Sequence, residues 1–191
     1  INMPLQPFTL VGATTRAGLI SAPLRDRFVV REHLDYYSVS ELAKIVFRSA
    51  GKLEMPMDDE TATEIAGRSR GTPRLANNRL RWVRDYSTSR ANRVVDLEIA
   101  RTALEMQGID ELGLDGFDRR YLETLQRVFG GGPAGIEAIA HTMSTAVDTL
   151  EDDVEPFLLR YELIIRTPRG RRLTERGEAH LGDAPPTGPQ Q

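Results

Sequence analysis

A chain of 191 residues, 40% hydrophobic and 28% charged, has room for one domain or two small ones with real cores, and its composition excludes a disordered polymer. Zero cysteines exclude a disulfide framework and thiolate metal sites, and the three histidines, His33, His141 and His180, are too scattered for zinc, so no metal site is expected. The net charge of −3 excludes a globally basic nucleic-acid binder, and no apolar run is long enough to cross a bilayer or follows a basic signal region, so the expected location is the cytoplasm, away from membranes.

The first predicted element is a strand at Phe8-Thr9-Leu10-Val11, whose unbroken apolar character reads as fully buried. A buried parallel strand needs neighbours, and the chain offers few, so it is expected to begin inside a domain whose larger part is missing. Gly12-Ala13-Thr14-Thr15-Arg16 follows directly. Ligands collect at the carboxyl ends of strands in open α/β sheets, so a hydroxyl here suits a water or a terminal phosphate; a polar loop capping the next helix explains two threonines equally well. Pro23-Leu24-Arg25-Asp26-Arg27-Phe28 places two arginines around an acid, which by itself reads as a surface ion-pair cluster of little energetic weight.

From there the chain reads as helical. Ser38 and Glu41 have capping-box spacing ahead of Leu42, Ile45, Val46 and Ala50. Asp58 caps a second helix carrying Ala62, Ile65 and Ala66. A third carries Ala76, Leu80, Val83 and Tyr86, and a fourth Leu97, Ala100 and Leu104, together a small bundle. The third helix has an informative start at Arg68-Ser69-Arg70-Gly71-Thr72-Pro73-Arg74. Gly71 suits a left-handed helix end, Thr72 a cap and Pro73 a first turn, which leaves Arg74 among free N–H groups at the positive end of the helix dipole. That environment favours a polyphosphate, although a solvated surface arginine fits the same spacing.

The segment from Gln107 to Gly116, with its glycines and acids, reads as the next boundary. Phe117, Tyr121, Leu125 and Val128 then form one stripe that stops at Gly130-Gly131-Gly132-Pro133, and Ile136, Ile139, Ala140 and Met143 form a second. Thr145 with Asp148 starts a third helix with Val147, Leu150 and Val154 facing inward and Pro156 bending or resetting it. Leu163 to Arg166, a turn at Thr167-Pro168-Arg169-Gly170, and Arg171 to Thr174 make a hairpin, and three helices followed by a hairpin is the winged-helix order. The residues from 183 to 191 read as a disordered tail.

Arg166, Arg169, Arg171 and Arg172 make the hairpin strongly basic, with no acid between Leu163 and Thr174. Their clustering around one turn favours contact with a phosphate backbone over the protection of a sheet edge. The third helix, in contrast, holds Asp148, Glu151, Asp152, Asp153 and Glu155 and no basic residue through Leu159, so DNA is expected to be held by its backbone without base reading.

Four of these segments together resemble one family. Val11 to Gly18, Ser21 to Phe28, Arg68 to Arg74 and Arg166 to Arg171 are similar, in order and spacing, to the bacterial RuvB motors, AAA+ ATPases of Holliday junction branch migration, over roughly Phe8 to Leu181. The resemblance implies a mainly α protein. Residues 1–35 would be the remnant of an AAA+ α/β core, 36–111 a helical lid and 112–182 a C-terminal winged-helix domain. It further implies Thr15 as the sensor near the γ-phosphate, Arg27 as an arginine finger acting on a neighbouring subunit's nucleotide, Tyr37 and Arg74 as nucleotide contacts, and Arg166 and Arg171, helped by Arg169, as DNA contacts. The implied cofactor is ATP with Mg²⁺, and the implied partners are junction DNA and duplex arms, RuvA, RuvC and five further copies in a hexameric ring. The sequence holds no G-x-x-x-x-G-K-[ST] loop and no acidic Walker B strand, so the chain by itself is not expected to hydrolyse ATP or hold the metal. Val29 stands where the family usually has glycine, and Asn77-Asn78-Arg79-Leu80 is more polar than its usual lid helix. A winged-helix regulator and a non-hydrolysing, clamp-loader-like subunit are the rival readings; the acidic third helix and Arg27 count against the first, and the basic wing against the second.

Overall fold

The computed structural model describes residues 6–14, 16–91 and 93–183. They fall into two units, Ile1–Asp35 and Tyr36–Gln191.

The first unit departs from expectation. Phe8, Leu10 and Val11 form no strand and are 69%, 64% and 85% exposed. A strand is held by hydrogen bonds to a second strand, and the described residues of this unit contain none, so apolar character alone does not set the conformation. What forms instead is a single 3₁₀ turn at Ala17–Leu19 and the one-turn helix α1 (Ala22–Arg25), with Ser21 at its N-cap and Pro23 in its first turn. Asp26 meets Arg31 at 3.5 Å.

The second unit is almost entirely helical and contains two apolar cores. The first is built by α2 (Val39–Lys52), α3 (Asp59–Gly67), α4 (Pro73–Arg90) and α5 (Leu97–Met106), the four helices expected from the spacing. Ser38 and Glu41 form the reciprocal capping box, with the Ser38 N–H donating to Glu41 Oε2 at 2.9 Å, and Asp58 accepts from the Thr61 N–H at 2.8 Å. Leu42, Val46, Ile65, Leu80, Val83 and Leu104 close this core, and the Trp82 indole at its margin donates to the Ala103 carbonyl at 2.6 Å.

The second core belongs to α6 (Gly116–Arg127), α7 (Ile136–Met143), a helical run made of α8 (Val147–Thr149), a π-helical turn (Leu150–Val154) and α9 (Glu155–Arg160), and the hairpin of β1 (Ile164–Thr167) and β2 (Gly170–Leu173). Tyr121, Leu122, Leu125, Ile139, Met143, Leu150 and Leu158 fill it. Val128, expected to continue the α6 stripe, is 58% exposed because the helix has already ended. Thr145 is not the cap of the third helix; Ala146 holds that position. The Glu155 N–H reaches five residues back to the Leu150 carbonyl, a widening that accommodates Pro156, which has no N–H to donate.

The hairpin pairs Arg166 with Arg171 and Thr167 with Gly170 across a Pro168-Arg169 turn. Ala134 adds a bridge to the free edge at Arg171, with N–H to carbonyl distances of 2.9 and 2.8 Å. Gly170 takes φ of +128° against this bridge, where a Cβ would run into the Ala134 carbonyl.

The end of the chain also differs from expectation. A further helix, α10 (Glu175–Asp183), extends through the first residue assigned to the tail; residues 184–191 lie outside the described residues. Thr174 Oγ1 accepts from the Gly177 N–H at 3.0 Å, an N-cap that starts this helix, and His180 reaches Asp110 at 3.0 Å. Among the described residues no helix is long and apolar enough to cross a membrane, and no cluster of His, Cys, Asp or Glu is placed to hold a metal ion.

Candidate nucleotide and DNA contact sites

The turn between α3 and α4 is sharply wound. Arg70 and Gly71 both adopt left-handed backbone, with φ of +54° and +70°. For Gly71 this is inexpensive, but for arginine it costs on the order of 1 kcal/mol and has to be held by its surroundings. The Arg70 guanidinium is held by Asp118, which it pairs with directly, by the Gly113 carbonyl at 2.8 Å and by the Phe157 ring at 4.6 Å. Tyr37 is pinned to the same turn, its N–H donating to the Gly71 carbonyl at 3.0 Å.

Thr72 occupies the N-cap of α4 but does not cap it; its hydroxyl donates back to the Arg70 carbonyl at 3.3 Å. No acid lies in the first turn either. The start of this 18-residue helix therefore keeps its N–H groups uncapped by a side chain, with Pro73 at its head and exposed Arg74 beside it. An anion fits this end, and Tyr37 and Arg74 are brought to one turn.

Behind it lies a buried polar node. Arg79, on α4, is 5% exposed and donates to the Gly113 carbonyl at 3.1 Å, sharing that acceptor with Arg70. Burial, together with the nearby Arg70 charge, lowers its guanidinium pKa to about 10. Burial likewise pushes the Asp118 carboxyl up to about 7, against the pull of Arg70. The polar Arg79 of the lid helix thus belongs to a link between the two cores rather than to the surface.

The wing has its own buried centre. Glu155 has no exposure at all and accepts from Tyr121 Oη at 2.8 Å, from Arg166 Nη2 at 2.5 Å and from Arg171 Nε at 2.8 Å. Burial alone would raise its pKa, but the hydrogen bonds from Arg171, Tyr121 and Arg166 outweigh it and hold the carboxyl below the usual range. Arg171 also donates to Glu151 at 2.9 Å, and its side chain is only 15% exposed; that of Arg166 is 49% exposed. Two acids of the third helix consequently neutralise wing arginines. Arg169 and Arg172, both exposed, line a shallow recess of about 290 Å³ with Pro133, Thr167 and Pro168.

Three family models tile the chain in order: the Holliday junction DNA helicase RuvB P-loop domain over residues 1–34, the RuvB AAA lid domain over 37–110 and the RuvB C-terminal winged helix domain over 111–182. The chain belongs to the RuvB family. It is 59% identical over 181 residues to the Holliday junction branch migration complex subunit RuvB of Rhodopirellula baltica, covering 95% of this chain and 50% of that protein. The Streptomyces avermitilis subunit of the same name is 51% identical over 186 residues, 97% of this chain and 52% of its own length. The chain therefore spans about half the length of these relatives. Among solved structures, the Thermotoga maritima RuvB Holliday junction branch migration motor superposes with a TM-score of 0.87 at 44% identity, covering 95% of this chain and 61% of that one.

Against this family frame, the residues singled out from the sequence divide by location. Thr15 lies outside the described residues. Arg27 is exposed just after α1 in the first unit, and Val29 beside it is 96% exposed. Tyr37 and Arg74 share the α4 turn, while Arg166, Arg171 and Arg169 share the hairpin. Glu155, Tyr121, Asp118 and Gly113 were not legible as site residues. A glutamate in an acidic helix carries no local mark of burial, although its position four residues after Glu151 and three before buried Leu158 is compatible with the core face.

Proposed function

We propose that this chain is the C-terminal part of an ATP-driven motor that moves duplex arms through a ring during Holliday junction branch migration. Residues 1–35 close the ATPase core, 36–111 form the lid and 112–182 the DNA-holding winged helix. Nucleotide is contacted by Tyr37 and Arg74, with Thr15 as the sensor and Arg27 reaching a neighbouring subunit's nucleotide within a homo-hexamer. ATP with Mg²⁺ supplies the free energy of translocation; this chain's own part is to hold phosphate charge at the uncapped start of α4. DNA is held at the hairpin turn by Arg166, Arg169 and Arg171. RuvA, RuvC and a cytoplasmic setting complete the reading.

The observation that carries it is the pairing, in one folded unit, of an anion-ready helix start with a cationic wing, in a chain tiled by RuvB models throughout. Because Arg171 is mostly engaged by Glu155 and Glu151, exposed Arg169 at the turn tip is the sharper test of backbone contact. Arg169→Ala is expected to weaken binding to a four-way junction evenly across sequences, reduce the salt slope by about one unit and leave thermal stability unchanged. Fluorescence anisotropy at several salt concentrations measures this. An unchanged slope, or loss confined to some sequences, would remove the wing from the DNA interface.

A further inference from the structure

The last residue of the third winged-helix helix reaches into the lid. Arg160, which ends α9, donates Nη2–H to the Arg70 carbonyl at 2.8 Å. Its guanidinium lies over the Tyr36 ring at 3.8 Å from the centroid, with Tyr161 and Phe157 at 5.3 and 5.5 Å. Its Nη1 would be 3.2 Å from a Cβ at Gly71. One side chain thus binds the strained Arg70 of the α3–α4 turn, lies close to Gly71 and covers Tyr36, the residue beside Tyr37.

This placement matters because, beyond the Thr72 N–H on the Ser69 carbonyl and the Tyr37 N–H on the Gly71 carbonyl, both 3.0 Å, the side-chain contacts on the turn come from elsewhere. Apart from Arg160, the Arg70 carbonyl receives a long bond from the Thr72 hydroxyl, and left-handed arginine backbone is unfavourable unless its neighbours determine it. The partners that fix it come from the winged-helix half: Asp118 on α6, Gly113 before it, and Phe157 and Arg160 on α9. The direction in which α4 departs, and hence where Arg74 stands, depends on that grip.

We infer that Arg160 is a positioning residue through which the DNA-holding winged helix sets the nucleotide contacts of Tyr37 and Arg74. The inference rests on the reading of those two residues as nucleotide contacts. Arg160 touches no nucleotide itself; it acts through the Arg70 carbonyl and the Tyr36 ring, a planar cation over an aromatic face with a directed N–H. A rearrangement of the wing on duplex DNA would be transmitted along α9 to the turn.

The test uses the complete motor, obtained by joining this chain to the phosphate-loop segment of the Rhodopirellula baltica relative. Arg160→Ala is expected to raise the KM for ATP about tenfold, a loss comparable to one charged hydrogen bond, with a smaller change in kcat, and to abolish the increase in turnover caused by duplex DNA. Anisotropy should show DNA affinity unchanged. Arg160→Lys, which keeps a donor for the Arg70 carbonyl, recovers most of the KM, whereas Tyr36→Leu reproduces part of the defect without removing a charge and serves if the alanine variant does not fold. Wild-type KM and wild-type DNA stimulation in Arg160→Ala, or in Tyr36→Leu in its place, would overturn the inference. If Arg74→Ala also leaves ATP affinity unchanged, the nucleotide reading fails first; if Arg74→Ala weakens ATP and Arg160→Ala does not, only the coupling fails.

Discussion

Replacing Glu155 by alanine is expected to cost the winged helix about 3–5 kcal/mol, the loss typical of breaking a buried charge network from its centre. The carboxylate is fully buried and serves three donors, Tyr121, Arg166 and Arg171, of which Tyr121 is itself fully buried. Arg171→Ala removes less, because Arg166 and Tyr121 still satisfy the carboxylate. The order of effects, Glu155 well above Arg171 and both above Arg169, separates a network organised from within from a row of independent surface cations, each of which would contribute under about 1 kcal/mol. Urea denaturation followed by circular dichroism measures the series, and a loss below about 1 kcal/mol for Glu155→Ala would contradict it. The pH dependence has a definite sign. The folded-state pKa of Glu155 is depressed, so its contribution is complete above the unfolded value near about 4.3 and disappears as pH falls through the lower folded value, making the wing acid-sensitive below about pH 4.5.

The second large effect is expected at Arg27. In a motor completed with a phosphate-loop core, Arg27→Ala should slow ATP turnover by about 10³ to 10⁵ while nucleotide affinity stays nearly constant, as for a charge delivered to a neighbour's transferring phosphoryl group. Arg27 is exposed just beyond α1, so replacing it removes no buried contact within the described residues of its unit. Mixing the variant with wild-type subunits gives a sharper readout than the variant alone. A finger acting across an interface lowers turnover in proportion to the mixed interfaces, whereas an arginine serving its own subunit leaves each wild-type copy fully active. Equal loss of affinity and turnover would reassign Arg27 to structure.

The parts of the fold that sequence makes legible are those set by local chemistry. The Ser38–Glu41 box, the Asp58 cap and the 3.6-residue stripes of α2 to α7 depend on neighbours three and four positions away, and the hairpin depends on one short turn. What escaped depends on distant partners. The Phe8–Val11 segment has strand composition, but the described residues of its unit hold no strand to pair with, and α10 was hidden because Thr174 reads equally as the end of β2 and as the cap of the next helix. The same division runs through the site. Gly71, Pro73 and Arg74 announce themselves as a helix start, but Thr72 turns its hydroxyl back to the Arg70 carbonyl instead of capping α4, a choice its residue type leaves open. The acidity of the third helix was apparent, yet Glu151 and Glu155, two of its five acids, are paired with wing arginines, which the sequence does not show.

Trp82, the one tryptophan in the chain, sits at the margin of the first helical core and is tied to the Ala103 carbonyl. Its ultraviolet emission therefore watches a single module, while the other holds tyrosines and phenylalanines but no tryptophan. Loosening at the hairpin would pass unseen by that fluorophore, and a fluorescence melt that lags behind an ellipticity melt would mark the order in which the halves let go.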